Sequence, residues 1–156
     1  MGEILTIEDA LRRRAAARVL RQTFVFTNGC FDILHPGHVA LLRQAGALGH
    51  YLLVGINSDR SVRALDKGSG RPAQDELARA TVLSALSAVD GVVVFDEETP
   101  YELITSLQPD VLVKGADWAA DAIVGRDVVE ARGGRVVRIP IEGGHSTSAL
   151  LERIRT

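Results

Sequence analysis

Residues 28–38, NGCFDILHPGH, hold two of the chain's four histidines. His35 and His38 stand three positions apart around a Pro-Gly pair, just after the apolar run Phe24-Val25-Phe26. Proline at the first position of a helix costs nothing, because its missing N–H has no partner there anyway. Gly37 lets a ligand come close to the backbone. A helix start offers free N–H groups and the positive end of the dipole, which together favour a phosphate. Two imidazoles beside that phosphate add further donors. A lone histidine is more often a cap or a core residue, but a pair flanking Pro-Gly at a helix start is much less often incidental. Zinc is disfavoured, since no third ligand has sensible spacing and the dipole opposes a cation. A phosphate-binding fold without catalysis stays open as an alternative. There is no GxxxxGK(S/T) motif and no GxGxxG, and the GSG of residues 68–70 follows the second predicted strand, the wrong context for a dinucleotide fingerprint. A phosphate loop with two histidines in place of a lysine suits an anionic acceptor attacking the α-phosphate of a nucleotide.

The elements that must position this loop alternate in type. Thr6 to Arg21 reads as a leading helix, with Thr6 as N-cap and Asp9 three residues on. Thr23 to Thr27 is a short apolar strand, and Pro36 to Leu48 a helix whose Val39, Leu42, Ala45 and Leu48 share a face. Tyr51 to Ile56 is a buried strand, and Ser58 to Ala73 a polar loop. Asp75 to Ala88 is helical, Val92 to Phe95 a strand, Pro100 to Leu107 a short helix and Val111 to Val113 a strand. Asp121 to Arg132 is expected as one helix, Arg135 to Ile139 as the last strand and Ser146 to Arg155 as the last helix. Short apolar strands alternating with helices imply right-handed βαβ units and a parallel sheet. The expected fold is therefore α/β, a Rossmann-like doubly wound five-stranded parallel sheet of order 3-2-1-4-5. It forms a single nucleotide-binding domain over residues 23–156, preceded by an N-terminal helix over residues 1–22. Such sheets bind ligands at the carboxyl ends of the strands where the winding reverses. The loop after the first predicted strand and the KGADW segment after the fourth, Lys114 to Trp118, should meet there.

The bulk composition fits this picture. The chain has 156 residues, 46% of them hydrophobic and 24% charged, with a net charge of −2. That is one domain with a proper core, and its charge balance argues against nucleic acid or an anionic membrane as partner. The single cysteine, Cys30, excludes an internal disulfide framework and a CxxC metal site. The first twenty residues lack the apolar stretch of a secretion signal, and no apolar run is long enough to span a membrane. A cytoplasmic protein is expected.

FDILHPGH resembles the HxGH signature of the nucleotidyltransferase superfamily. Asn57-Ser58-Asp59 and the stretch GGHSTSALLERI, residues 143–154, resemble its two further motifs, in the right order over nearly the whole chain. The segments TNGCFDILHPGHVALL, VGINSDRSVRALDKG, AVDGVVVFDEETP, LITSLQPDVLVKGADW and IEGGHSTSALL are most similar to the adenylyltransferases that activate heptose 1-phosphate for ADP-heptose synthesis. Ala40 and Ile141 stand where glycerol-phosphate cytidylyltransferases carry the lysine after the second histidine and the arginine-containing RTEG. KGADW replaces the usual KGGDY of the heptose enzymes, Ser148 replaces a threonine, and Glu76 is displaced by one from the common Glu-x-Arg. The bifunctional members also carry a sugar kinase, so the stand-alone transferase form is expected.

The resemblance implies transfer of AMP from ATP to a sugar 1-phosphate with release of pyrophosphate. The attacking phosphate oxygen, with a second pKa of about 6, is ionised at neutral pH and needs no general base. His35 and His38 are the catalytic pair, with Mg²⁺ accompanying ATP and no metal held by the protein alone. Asn28, Gly29, Cys30, Phe31, Asp32 and Gly37 are expected at the nucleotide, with Lys67 closing over the triphosphate and Lys114 and Gly115 near base and ribose. Ser146, Thr147 and Ser148 are expected at the phosphates, helped by His145, with plain N-capping as the alternative. For Asp32 the alternatives are orienting His35, binding metal or forming a turn. The Cys30 side chain reads as a buried filler, and Asp59 as a pocket or capping residue. Arg79 grips substrate phosphate or is a solvated helix arginine. Asp117 and Trp118 face the acceptor, with core packing as the alternative for Trp118, and His50 reads as a surface residue. The implied partners are ATP and a phosphorylated sugar, and a homodimer is expected by family analogy. The rival activities are a cytidylyltransferase acting on a polyol phosphate such as glycerol 3-phosphate, an adenylyltransferase for pantetheine phosphate, nicotinamide mononucleotide or flavin, and a non-catalytic nucleotide-binding module.

Overall fold

The structure, a computed structural model, describes residues 2–65, 70–140 and 146–155. A six-stranded sheet forms the centre: β1 (Glu3–Leu5), β2 (Phe24–Gly29), β3 (Tyr51–Asn57), β4 (Gly91–Phe95), β5 (Val111–Gly115) and β6 (Arg135–Ile139). The order is β1-β4-β3-β2-β5-β6, and every pairing is parallel. The five expected strands lie in the expected order. The correction is β1, which adds a sixth strand at the edge beside β4. Three residues bounded by the cap of the next helix carry too little periodicity to be read as a strand.

The helices are α1 (Ile7–Val19), α2 (Pro36–Gly46), α3 (Asp59–Ala64), α4 (Glu76–Ser84), α5 (Tyr101–Leu107), α6 (Arg126–Ala131) and α7 (Thr147–Arg155). Two regions differ from the sequence expectation. The polar stretch after β3 opens with α3, capped by the Ser58 side chain, which accepts from Ser61 N. The expected helix over 121–132 is split into a 3-10 turn (Ala120–Ala122) and α6. Gly125, at φ +89, breaks it. A Cβ there would lie 2.7 Å from the Ile104 side chain, so this turn takes only glycine.

Residue alternation along the strands builds two cores, one on each face. Val25, Leu52, Val54 and Ile56 point to one side and pack with Leu42 and Ala45 of α2 and Leu83 of α4. Phe24, Phe26, Leu53 and Leu112 point to the other and pack with Ala10 and Ala17 of α1, Leu103 and Ile104 of α5 and Val129 of α6. Arg14 fastens α1 to this second layer. Its guanidinium donates to the carbonyls of Leu107 and Gln108 and to both carboxylate oxygens of Asp110, whose Oδ2 also accepts from Phe24 N. The starts of β2 and β5 are thereby tied together, and their far ends form the switch point. Among the described residues no helix is long and apolar enough to cross a membrane.

Candidate active site

The crevice at the carboxyl ends of β2 and β5 is built around residues 28–35. Phe31 sits in the left-handed region at φ 48, which turns its ring back under the strand end. A Cβ on Gly29 would meet that ring at 2.9 Å, so the glycine is required by the turn. The loop backbone is held from four directions. Lys114 Nζ of β5 donates to Asn28 O at 2.9 Å and Arg79 Nη1 of α4 to Cys30 O at 2.8 Å. Gln74 Nε2 donates to Asp32 O at 2.7 Å and Thr147 Oγ1 of α7 to Ile33 O at 3.0 Å. The two polar clusters expected at the switch point do meet, through Lys114 and Asn28.

His35 is the N-cap of α2. Its carbonyl accepts from His38 N at 3.0 Å and Val39 N at 3.3 Å, while its Nδ1 lies 3.4 Å from His38 N. With Pro36 lacking a donor, Gly37 N is the N–H of this first turn with no hydrogen bond among the described residues. The imidazoles of His35 and His38 stack with centroids 3.7 Å apart, and the edge of Phe31 closes on His38 at 5.0 Å. His38 Nδ1 is buried and has no hydrogen-bond partner among the described residues. Burial, and then the charge of His35, push the His38 imidazole down to about 4, so the ring is neutral at pH 7.

This has a consequence for stability. In the unfolded chain the same ring titrates at about 6.5, so between those values the unfolded state binds the extra proton. Stability from His38 is full above pH 6.5 and is lost as pH falls toward 4. Urea midpoints measured from pH 7 to pH 4 should fall more steeply for the native chain than for His38→Gln. Parallel slopes would contradict the buried neutral ring.

Of the other expected residues, Asp32 and Arg79 hydrogen-bond to this loop or its flanks, while His50 lies at the opposite end of the sheet. Cys30 is buried, its Sγ 3.6 Å from Asn57 Oδ1. Asp32 is buried too, and its carboxylate accepts from Arg71 Nε, Ala73 N and Gln74 N. Its observed contacts are those of a loop anchor. Arg79 is 1% exposed, so it is not a solvated arginine. It donates to Cys30 O, Asn57 O, Gln74 O and Asp59 Oδ1, and this binds α4, β3 and the histidine loop into one unit. Asp59, in the first turn of α3, is its carboxylate partner at 2.8 Å. Trp118 is 47% exposed and so is not a core residue; Lys114 Nζ stands 5.2 Å from its ring centroid. Gly115 ends β5, and Asp117 lies exposed in the following turn. Ser146 Oγ caps α7 by accepting from Ala149 N, and Ser148 is exposed. His50 is an exposed turn residue whose Nδ1 accepts from Thr23 N. Lys67, Gly143, Gly144 and His145 lie outside the described residues.

Sequence reasoning missed Arg71 and Gln74, which clamp Asp32. The pair Arg71-Pro72 is itself one of the segments similar to the heptose adenylyltransferases, but no role attaches to it there, and a pairing across thirty-nine residues leaves no local pattern.

A parallel sheet with a histidine-bearing helix start at its switch point fits a nucleotide-binding fold, and a family model described as cytidylyltransferase-like matches residues 26–143. The chain belongs to the cytidylyltransferase-like family and is a nucleotidyltransferase by class. Among curated proteins it is 54% identical over 155 residues to the bifunctional protein HldE of Azorhizobium caulinodans, covering 99% of this chain and 32% of that one. It is 59% identical over 131 residues to HldE of Hyphomonas neptunium, covering 84% and 27%. The chain thus spans about a third or less of the length of these relatives. Among solved structures it is similar to a lipopolysaccharide core biosynthesis protein from Thermoplasma volcanium, at TM-score 0.65 and 27% identity over 80% of this chain and 99% of that one. Pantothenate synthetase from Thermus thermophilus shares the fold, at TM-score 0.60 and 18% identity over 90% and 62%.

Proposed function

We propose that the chain transfers AMP from ATP to D-glycero-D-manno-heptose 1-phosphate, releasing pyrophosphate and ADP-heptose. The observation that carries this reading is the stacked His35–His38 pair at the start of α2, on a loop whose carbonyls are tied down by β5, α4, α7 and Gln74. High identity to HldE proteins over nearly the whole chain supports heptose as the acceptor.

The acceptor needs no deprotonation, because its phosphate dianion is already the nucleophile. The site has two tasks: to hold two anions in line, and to stabilise charge as the bond from the α-phosphorus to the bridging oxygen breaks. In the proposed mechanism the imidazoles of His35 and His38 donate to phosphate oxygens together with Gly37 N. The negative field of bound phosphates raises the affinity of His38 for a proton, turning a neutral ring into a cationic donor as the substrates fill the crevice. Trp118, with one side near Lys114, offers an exposed ring for a sugar or a base. Among the described residues no three histidine, cysteine or acidic side chains converge on a cation site. In the proposed scheme Mg²⁺ enters on the nucleotide phosphates, as part of the substrate.

The test crosses ATP, CTP, GTP and UTP with both anomers of the heptose 1-phosphate, glycerol 3-phosphate and phosphopantetheine, with pyrophosphate release as the readout. Release with ATP and one heptose anomer is expected. Release with CTP and glycerol 3-phosphate would overturn the heptose assignment and leave the transferase chemistry standing.

A further inference from the structure

Among the described residues three arginine side chains are buried, and two of them spend four of their five N–H groups on protein acceptors. Arg14, with a side chain 7% exposed, uses Nε, Nη1 and Nη2, and Arg79, at 0%, does the same. Arg71 differs. Its side chain is 8% exposed, yet it makes one hydrogen bond, from Nε to Asp32 Oδ2 at 2.8 Å. Neither Nη carries a hydrogen bond among the described residues.

The Nη atoms are not among the buried side-chain atoms that lack a partner, so this edge of the guanidinium reaches solvent with its four N–H bonds unspent. What holds Arg71 here is Asp32, whose carboxylate is fully buried. That carboxylate is fixed by Ala73 N and Gln74 N, while the Gln74 side chain returns to Asp32 O. Asp32 stands three residues before the N-cap His35, in the loop that carries the catalytic pair. The Nε edge of the guanidinium is therefore locked to the catalytic loop, and the Nη edge is left as a preorganised fork. Such a fork matches the spacing of two phosphate oxygens.

We infer that Arg71 is a substrate-binding residue whose Nη atoms take the oxygens of a phosphate group, either in the triphosphate tail that leaves as pyrophosphate or in the acceptor phosphate. The inference rests on the nucleotidyltransferase reading of the site but not on which sugar is the acceptor. Asp32 is its positioning residue: it sets the fork relative to His35 and His38 without touching substrate.

The experiment uses the full chain, ¹⁵N- and ¹³C-labelled, with the Arg71 Nε–H resonance assigned in the native chain by through-bond correlation to its own backbone. Inorganic pyrophosphate and a heptose 1-phosphate are titrated separately. A saturable shift of that resonance with one of them is expected and tells which phosphate is bound. In parallel, Arg71→Lys should raise KM for the same substrate about tenfold or more, because it keeps the charge and loses the fork. The melting temperature should move little. The inference is overturned if neither anion shifts the resonance at concentrations up to tens of millimolar, or if Arg71→Lys folds and leaves both KM values unchanged. The pyrophosphate titration of the native chain decides the matter even if the variant does not fold. It also separates this inference from the acceptor assignment, since a chain that rejects heptose 1-phosphate can still show the pyrophosphate shift.

Discussion

His38→Ala is expected to lower kcat by about 10²–10³-fold, the usual effect of removing one donor that stabilises transition-state charge. His38 is clamped between the His35 imidazole and the edge of Phe31, so its orientation is set before any ligand arrives. Its buried Nδ1 lacks a partner among the described residues, so the fold gains little from the polar part of this side chain. The variant should therefore melt close to the native chain while kcat and kcat/KM fall together, the signature of an interaction made in the transition state. His35→Ala should lose similar activity and, in addition, about 1 kcal/mol of stability as the N-cap of α2. Steady-state kinetics with a thermal melt of each variant check both. A His38→Ala enzyme within tenfold of native kcat would remove the ring from the chemistry.

Arg79→Met should act the other way, through the fold. The guanidinium bridges Cys30 O and Asn57 O at 2.8 and 2.7 Å, and also holds Gln74 O and Asp59 Oδ1. Methionine fills similar volume but leaves three carbonyls and a carboxylate without their donor. Breaking a buried charged pair from one side costs about 3–5 kcal/mol. In a domain of this size that corresponds to a melting temperature lower by about 10 °C. Activity should fall as well, because Cys30 belongs to the loop that presents the histidines. Arg79→Lys keeps the charge but cannot reach all four acceptors, so it should fall between native and Met. A melting temperature for Arg79→Met within a degree or two of native would show that the network contributes little.

These two residues illustrate what the sequence discloses. His35 and His38 were legible because Pro, Gly and two imidazoles cluster within four positions after an apolar strand, a local pattern with few structural explanations. The order of five strands was legible for a similar reason: apolar runs alternate with amphipathic segments, and the handedness of βαβ units leaves few arrangements. The edge strand β1 was not, since its three residues become a strand only by pairing with Val92 and its neighbours. The split of the helix at Gly125 depends on the side chain of Ile104 across the interface with α5. Arg79 was visible as a site candidate, yet its commitment to protein acceptors was not, because they come from the loop after β2, from β3, from α3 and from the segment before α4. Asp32 and Arg71 lie thirty-nine positions apart and meet only in the folded chain. Local chemistry was written in short motifs, and the tertiary hydrogen bonds that support it were not.

In the proposed mechanism AMP passes in one step between two substrates held together at the histidine loop, with no covalent enzyme intermediate. The most direct test is the stereochemical course at the α-phosphorus, using ATP made chiral there by a sulfur substitution, with heptose 1-phosphate as acceptor. A single in-line displacement predicts ADP-heptose of inverted configuration. Retention would mean two displacements, with a group such as His35, His38 or Cys30 carrying AMP in between, and would contradict the account.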